Sequence, residues 1–224
     1  MTYVIAHRGA SWDEPENTLP AFERAITVGA DFVEFDVQAA NDGALVVFHD
    51  LELDRLTPLT GPLRQRPLAE LHEVGIPTLE EVLDLSSGRI GVMAELKSPH
   101  LYRRHDIVAR TVALLSRDAV VVSFSRPALL ESRRLKPELR LLQHVGFGVS
   151  IAVAAEYAWG VGFHDPRVTA RGLAKGRALG LATTVYTVNE PTRMRALDAL
   201  DVDGIFTDRP DLARATLDPA RLPG

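Results

Sequence analysis

The sequence of 224 residues contains no cysteine. That absence removes disulfides, thiolate metal sites and a cysteine nucleophile, and it fits a reducing compartment, so a cytoplasmic location is expected. Long apolar runs are also missing. None approaches the roughly 20 residues of a membrane-spanning helix, so no stable membrane insertion is expected. The N-terminus, Met1-Thr2-Tyr3-Val4-Ile5-Ala6-His7, has no basic segment followed by an apolar one, and no signal peptide is read there. Nor is there an excess of positive charge: 25 Lys and Arg stand against 30 Asp and Glu, for a net charge of −5. Nucleic-acid binding relies on clustered cations, and this balance argues against it. A small anionic substrate stays compatible, because a bound divalent cation can offset local carboxylates.

What is present is an ordinary globular composition, 46% hydrophobic and 25% charged. The length suits one buried domain spanning 1–224, slightly short for a (β/α)8 barrel. Short apolar runs alternate with helical stretches. The runs are Tyr3–Ala6, Asp31–Val37, Ile90–Leu96, Ala119–Phe124, Leu139–Gln143, Gly160–Phe163, Ala182–Val188 and Asp203–Phe206. Several have the Val/Ile-rich composition of strands buried on both faces. Helices are predicted near 18–28, 78–86, 104–117, 127–136, 150–158, 169–179, 191–200 and 210–216, with Asn17, Thr78, Ser125 and Asn189 at N-cap positions and Pro191 in a first turn. Eight strand–helix units point to a closed α/β TIM barrel. A doubly wound sheet is the alternative, but it normally carries a Gly-rich phosphate loop, and none is present.

The gap between the second and third of these strands is longer than the others. Asp42-Gly43 lies between two strand-like runs and reads as a two-residue hairpin turn, so Leu45–His49 is expected to run antiparallel to the second strand as an extra hairpin strand. A turn of that length sets His49 opposite Asp36. Residues Leu51–Pro77 read as a loop with one helical turn, too short for a domain with its own core.

Active sites of such barrels lie at the C-terminal ends of the strands. The first strand ends in His7-Arg8-Gly9; the second carries Glu34 and Asp36, and the third Glu95 and Lys97. Residues two apart in a strand share a face, so each of the last two sets projects to one side. Three carboxylates converging in a barrel mouth repel one another unless a cation sits among them. An all-oxygen set favours a hard cation, Mg²⁺ or Ca²⁺. The competing reading is a structural ion-pair network with Arg8 and Lys97, though buried charge networks stabilise poorly.

The ordered set HRG (7–9), PENT (15–18), AF (21–22), GAD (29–31), ExDV (34–37), DG (42–43), HD (49–50) and ExK (95–97) resembles the glycerophosphodiester phosphodiesterase family. IPTLEEVL (76–83), SF (123–124), TVN (187–189) and DGIFTDRPD (203–211) look like the same family's downstream signature, so the resemblance covers nearly the whole chain. It implies metal-dependent hydrolysis of a small-molecule glycerophosphodiester to sn-glycerol 3-phosphate and an alcohol. It further implies that Glu34, Asp36 and Glu95 bind the metal, that His7 and His49 are the acid–base pair, and that Arg8 and Lys97 bind phosphate oxygens. The chemistry agrees: a diester needs its non-bridging charge neutralised, and imidazoles titrate near neutrality. One departure is visible. The family usually has Trp before TVN, where this chain has Tyr186, which keeps an aromatic substrate wall and adds a hydroxyl. The alternatives are a phospholipase-D-like enzyme acting on lysophospholipids and a non-catalytic binding barrel.

Other residues carry weaker expectations. His144 and His164 fall at strand ends and either line the pocket or bond along its rim. Asn17 reads as a helix cap that also braces the site. Trp12 and Phe124 are pocket walls or rim packing, Arg55, Arg64 and Arg66 solvated loop charges, and His72, His100 and His105 ordinary loop or helix residues.

Overall fold

The computed structural model describes residues 1–146 and 148–218. In chain order the strands are β1 (Tyr3–His7), β2 (Phe32–Ala39), β3 (Leu45–Val47), β4 (Gly91–Leu96), β5 (Val120–Ser123), β6 (Arg140–His144), β7 (Gly160–His164), β8 (Ala182–Tyr186) and β9 (Gly204–Thr207). All but β3 are parallel, in the order β1-β2-β4-β5-β6-β7-β8-β9, and β9 pairs with β1 from Tyr3↔Gly204 to Ala6↔Thr207. The barrel is therefore closed, with β3 bonded outside it along β2. Each of the eight predicted barrel strands is found within two residues of its expected limits.

The helices are α1 (Leu19–Thr27), α2 (Leu68–Glu73), α3 (Leu79–Ser86), α4 (Ile107–Leu114), α5 (Arg126–Leu135), α6 (Ile151–Ala154), α7 (Ala170–Ala178), α8 (Pro191–Asp198) and α9 (Pro210–Leu217). Among the described residues, no helix is long and apolar enough to cross a membrane. The α6 helix is a single turn, shorter than the predicted 150–158.

Strand alternation sorts the side chains into two regions. Val33, Phe35 and Val37 of β2, Ala94 of β4 and Val121 of β5 face outward and pack beneath helices with Phe22, Leu79, Val82, Val112 and Leu129. Ile5, Met93, Val120, Val122, Leu142 and Phe206 form a separate apolar cluster inside the barrel. The inward series then turns polar at the C-terminal ends: His7 follows Ile5, Glu95 follows Met93, and His144 follows Leu142. The barrel interior is thus an apolar plug beneath a charged mouth.

The N-caps correct part of the sequence reading. Thr78 caps α3 in a capping box with Glu81, and Ser125 caps α5, as expected. Thr18, rather than Asn17, caps α1, and α8 starts at Pro191 with no side-chain cap. Asn17 instead adopts a left-handed backbone, φ 58°, which asparagine tolerates, and spends its amide on β2.

The hairpin register is also corrected. Val37 pairs with Val47 and Ala39 with Leu45, so Phe48, not His49, lies opposite Asp36; the Phe48 amide donates to the Asp36 carbonyl at 2.9 Å. The cause is a three-residue loop, 41–43, closed by Ala40 and Ala44 and ending on Gly43 at φ 88°. His49 still reaches the mouth because the chain leaves the ladder after Phe48. There Gln38 catches it, donating to the carbonyls of Phe48 (2.6 Å) and Asp50 (2.8 Å) while the Tyr102 hydroxyl donates to the other end of the same amide (2.5 Å). The following excursion is held by a small apolar cluster of Val46, Phe48, Leu53, Leu63, Leu71 and Ile76.

At the opposite end of the barrel, Arg214 of α9 is buried and donates to the Gly29 carbonyl and to the Asp31 carboxylate, both at 2.7 Å; that carboxylate also accepts from the Val4 amide. One guanidinium thereby ties the last helix to the first two strands. Arg214→Ala is expected to lower the unfolding free energy by about 2–3 kcal/mol, because the half-buried Asp31 carboxylate loses its cation and the Gly29 carbonyl its donor. Urea denaturation followed by circular dichroism measures it.

Candidate active site

The mouth divides into a charged half and an aromatic half. On the charged half, Glu34, Asp36 and Glu95 are all buried, and each offers a carboxylate oxygen within 4.8 Å of the others. Two cations serve them. Lys97 Nζ lies 3.2 Å from Glu95 and 3.3 Å from Asp36, and Arg8 Nε lies 3.3 Å from Asp36. Asn17 donates to Asp36 at 2.9 Å, and the Arg8 amide donates to Glu34 at 3.1 Å. The balance is incomplete. Burial, with the charge of Asp36 alongside, pushes the Glu34 carboxyl up to about 8. Burial raises Glu95 too, whereas Lys97 and Arg8 hold Asp36 well below the usual carboxylate range against its own burial.

This arrangement fits a divalent cation. The donors are all oxygens, the three carboxylates outnumber the two cations beside them, and Arg8 Nε is buried with no hydrogen-bond partner. The ion pairs expected of a purely structural network do form, but they leave Glu34 without a side-chain cation and Arg8 with an unused donor.

Each of the two histidines carries a carboxylate on the same ring nitrogen. His7 Nδ1 donates to Asp208 at 2.7 Å, and His49 Nδ1 donates to Asp50 at 2.6 Å. Both carboxylates are held ionised, against burial, by these hydrogen bonds and their other donors. Each imidazole is therefore fixed in one tautomer, with Nε2 left for a ligand. Asp208 also accepts from Ser11 (3.1 Å) and Asn189 (2.7 Å). Asp50 accepts from Arg55 (2.5 Å), whose guanidinium also grips Glu16, and Glu16 in turn accepts from Arg8 (2.9 Å). A continuous chain of charge thus runs from His49 to Arg8. Burial works against protonation of both rings. At His7 the Asp208 hydrogen bond and the Glu34 charge outweigh it and the pKa is raised; at His49 the cations Lys97 and Arg8 add to it and the pKa is lowered.

The aromatic half is built from the ends of β5, β6, β8 and β9. His144 packs in tilted contact against Tyr186 (4.2 Å between ring centres) and Phe124 (4.7 Å), with Phe206 edge-on at 5.8 Å. Burial, followed by the nearby Lys97 and His7 charges, drops His144 to about 3, so it stays neutral beside Glu95. Its ring has room only because residue 162 is glycine; a Cβ there would stand 2.2 Å from His144 Nδ1. Burial pushes the Tyr186 phenol up to about 12, so it is a hydrogen-bond donor at any working pH. The two halves enclose a cavity of about 380 Å³ lined by His7, Arg8, Glu34, His49, Glu95 and Lys97 on one side and Phe124, His144, His164, Tyr186 and Phe206 on the other.

The profile of the glycerophosphoryl diester phosphodiesterase family matches residues 7–212. The chain belongs to that family. Its relatives include the glycerophosphodiester phosphodiesterase of Bacillus altitudinis, 33% identical with 95% of this chain and 97% of the relative covered. That of Bacillus subtilis (strain 168) is 31% identical, covering 93% and 84%. Among solved structures, a phosphodiesterase of Oleispira antarctica in complex with the product sn-glycerol-3-phosphate superposes with a TM-score of 0.87 at 28% identity, covering 97% of each chain. Like these relatives, the chain is a phosphoric diester hydrolase.

All eight residues singled out from the sequence, His7, Arg8, Glu34, Asp36, His49, Glu95, Lys97 and Tyr186, come together at this mouth. His144, His164 and Phe124 line it as well. Trp12 does not; it is exposed on the rim under Arg209, and His72 is spent on Glu81. Arg55 is no solvated loop charge but a bridge between Asp50 and Glu16. The residues overlooked are Asp208, Asp50 and Glu16, each inside a motif already noted. Asp208 had a signal: closure of the barrel sets the end of β9 beside the end of β1. In metal-free protein, His7 is expected to titrate above an ordinary histidine. Asp208→Asn should lower its pKa, since the ionised partner that favours the imidazolium is gone. Ring-proton NMR shifts followed against pH give the measurement.

Proposed function

We propose that this phosphodiesterase hydrolyses glycerophosphodiesters to sn-glycerol 3-phosphate and an alcohol. The observation that carries the reading is the pair of carboxylate-braced histidines facing one cavity across a cluster of three buried carboxylates. Glu34, Asp36 and Glu95 would hold a divalent cation, Mg²⁺ or Ca²⁺ by their oxygen chemistry. When bound, that ion supplies positive charge to the non-bridging oxygens of the diester. Arg8 and Lys97, already beside the same carboxylates, grip those oxygens as well; Arg8 Nε is paired in charge with Asp36 but makes no hydrogen bond. One imidazole takes a proton from the attacking nucleophile through Nε2 and the other returns a proton to the leaving oxygen, with water consumed overall. Asp208 and Asp50 keep both rings oriented for this. Tyr186 forms part of the wall against which the organic portion of the substrate rests. The product bound to the Oleispira antarctica relative supports the same choice of substrate.

With glycerophosphocholine or glycerophosphoethanolamine as substrate, enzyme-coupled detection should show glycerol 3-phosphate release that stops with chelator and returns with Mg²⁺ or Ca²⁺. No release from folded, metal-loaded protein with any common headgroup would defeat the proposal. His7→Ala and His49→Ala should each lower kcat by about 10²–10⁴-fold while calorimetric metal binding persists. Glu34→Gln should instead weaken the metal itself by tenfold or more, on the order of what is lost even when a ligand's supporting partner is removed.

A further inference from the structure

The aromatic half of the cavity contains a polar atom that the protein leaves unused. The Tyr186 hydroxyl is buried and has no hydrogen-bond partner. Its ring is fixed on several sides, by His144 at 4.2 Å, His164 at 5.7 Å, Phe124 at 6.1 Å and Phe206 at 6.3 Å between centres. A donor that is buried, immobilised and unpaired is costly, and proteins generally supply a partner. Here the side chain lines the cavity, so the partner can come from a ligand.

The chemistry of the two halves of a glycerophosphodiester decides which part that is. The phosphate oxygens are drawn to Arg8, Lys97 and the carboxylate-bound cation on the opposite side. A choline or ethanolamine ammonium has no lone pair to accept the phenolic proton. A glycerol hydroxyl both accepts and donates. Room for the other half of the diester exists elsewhere, in a hollow of about 460 Å³ that shares Glu95, Lys97 and Phe124 with the cavity and opens along Ser98, Pro99 and His100.

Resting on the reading that the substrate is a glycerophosphodiester, we propose that Tyr186 is a specificity-determining residue whose hydroxyl hydrogen-bonds a free hydroxyl of the glycerol moiety, setting the polyol half against the β8 wall. The enzyme then discriminates glycerol phosphate from an alkyl phosphate of the same length through one donor.

Binding of sn-glycerol 3-phosphate and of n-propyl phosphate to the metal-loaded protein, wild type and Tyr186→Phe, tests this by calorimetry without requiring turnover. Wild type should prefer glycerol phosphate by about tenfold, the scale of one buried hydrogen bond, and the phenylalanine variant should keep no more than about a twofold preference. Propyl phosphate should bind both proteins alike. An unchanged preference in the variant, at an unchanged melting temperature, would overturn the proposal. Absence of glycerophosphodiester turnover in wild type would instead overturn the functional reading on which it rests.

Discussion

Three carboxylates buried within 4.8 Å of one another cannot all be ionised without help, and most of the mouth is arranged around that difficulty. Lys97 lies between Asp36 and Glu95, Arg8 approaches Asp36, and Asn17 abandons its helix to donate to the same group. These contacts satisfy Asp36 and leave Glu34 reluctant to ionise. A cation placed among the three would complete the charge balance that Lys97 and Arg8 begin. The same arrangement puts Arg8 and Lys97 in two positions at once, beside the carboxylates and on the wall of the cavity.

The histidines follow a second rule, in which position comes from the backbone and tautomer from a neighbouring carboxylate. His7 is placed by β1, but its partner Asp208 follows β9, 201 residues later. His49 is placed by a loop, and its partner is the next residue. The loop is made rigid by Gln38, whose amide is saturated by Phe48, Asp50 and Tyr102. Two unlike constructions thus present to one cavity imidazoles braced alike at Nδ1.

Much of this was legible in the chain alone. Alternation of Val/Ile-rich runs with capped helices sufficed for the closed barrel, and the i, i+2 spacing of Glu34 with Asp36 and Glu95 with Lys97 put each pair on one face. What escaped the sequence depended on partners far away or on a single residue of loop geometry. Asn17 and Asn189 look like caps because asparagine often is one, but their amides are claimed by Asp36 and Asp208 at the end of the neighbouring strand. The Asp42-Gly43 pair looks like a two-residue turn, yet Asn41 joins it, and one residue of slip changes which neighbour faces Asp36. Asp208 stands inside a motif already noted, but its partnership with His7 exists only once the ends of the chain meet.

That meeting has a bearing on how the protein becomes competent. The seam between β1 and β9 is the last pairing that synthesis makes available, and the carboxylate that orients His7 arrives with it. The carboxylate cluster, its two cations and His49 all lie before residue 98, whereas Asp208 stands near the other end of the chain. The orientation of the first histidine is thereby tied to closure of the barrel, and the seam that shuts the fold also completes one half of the site.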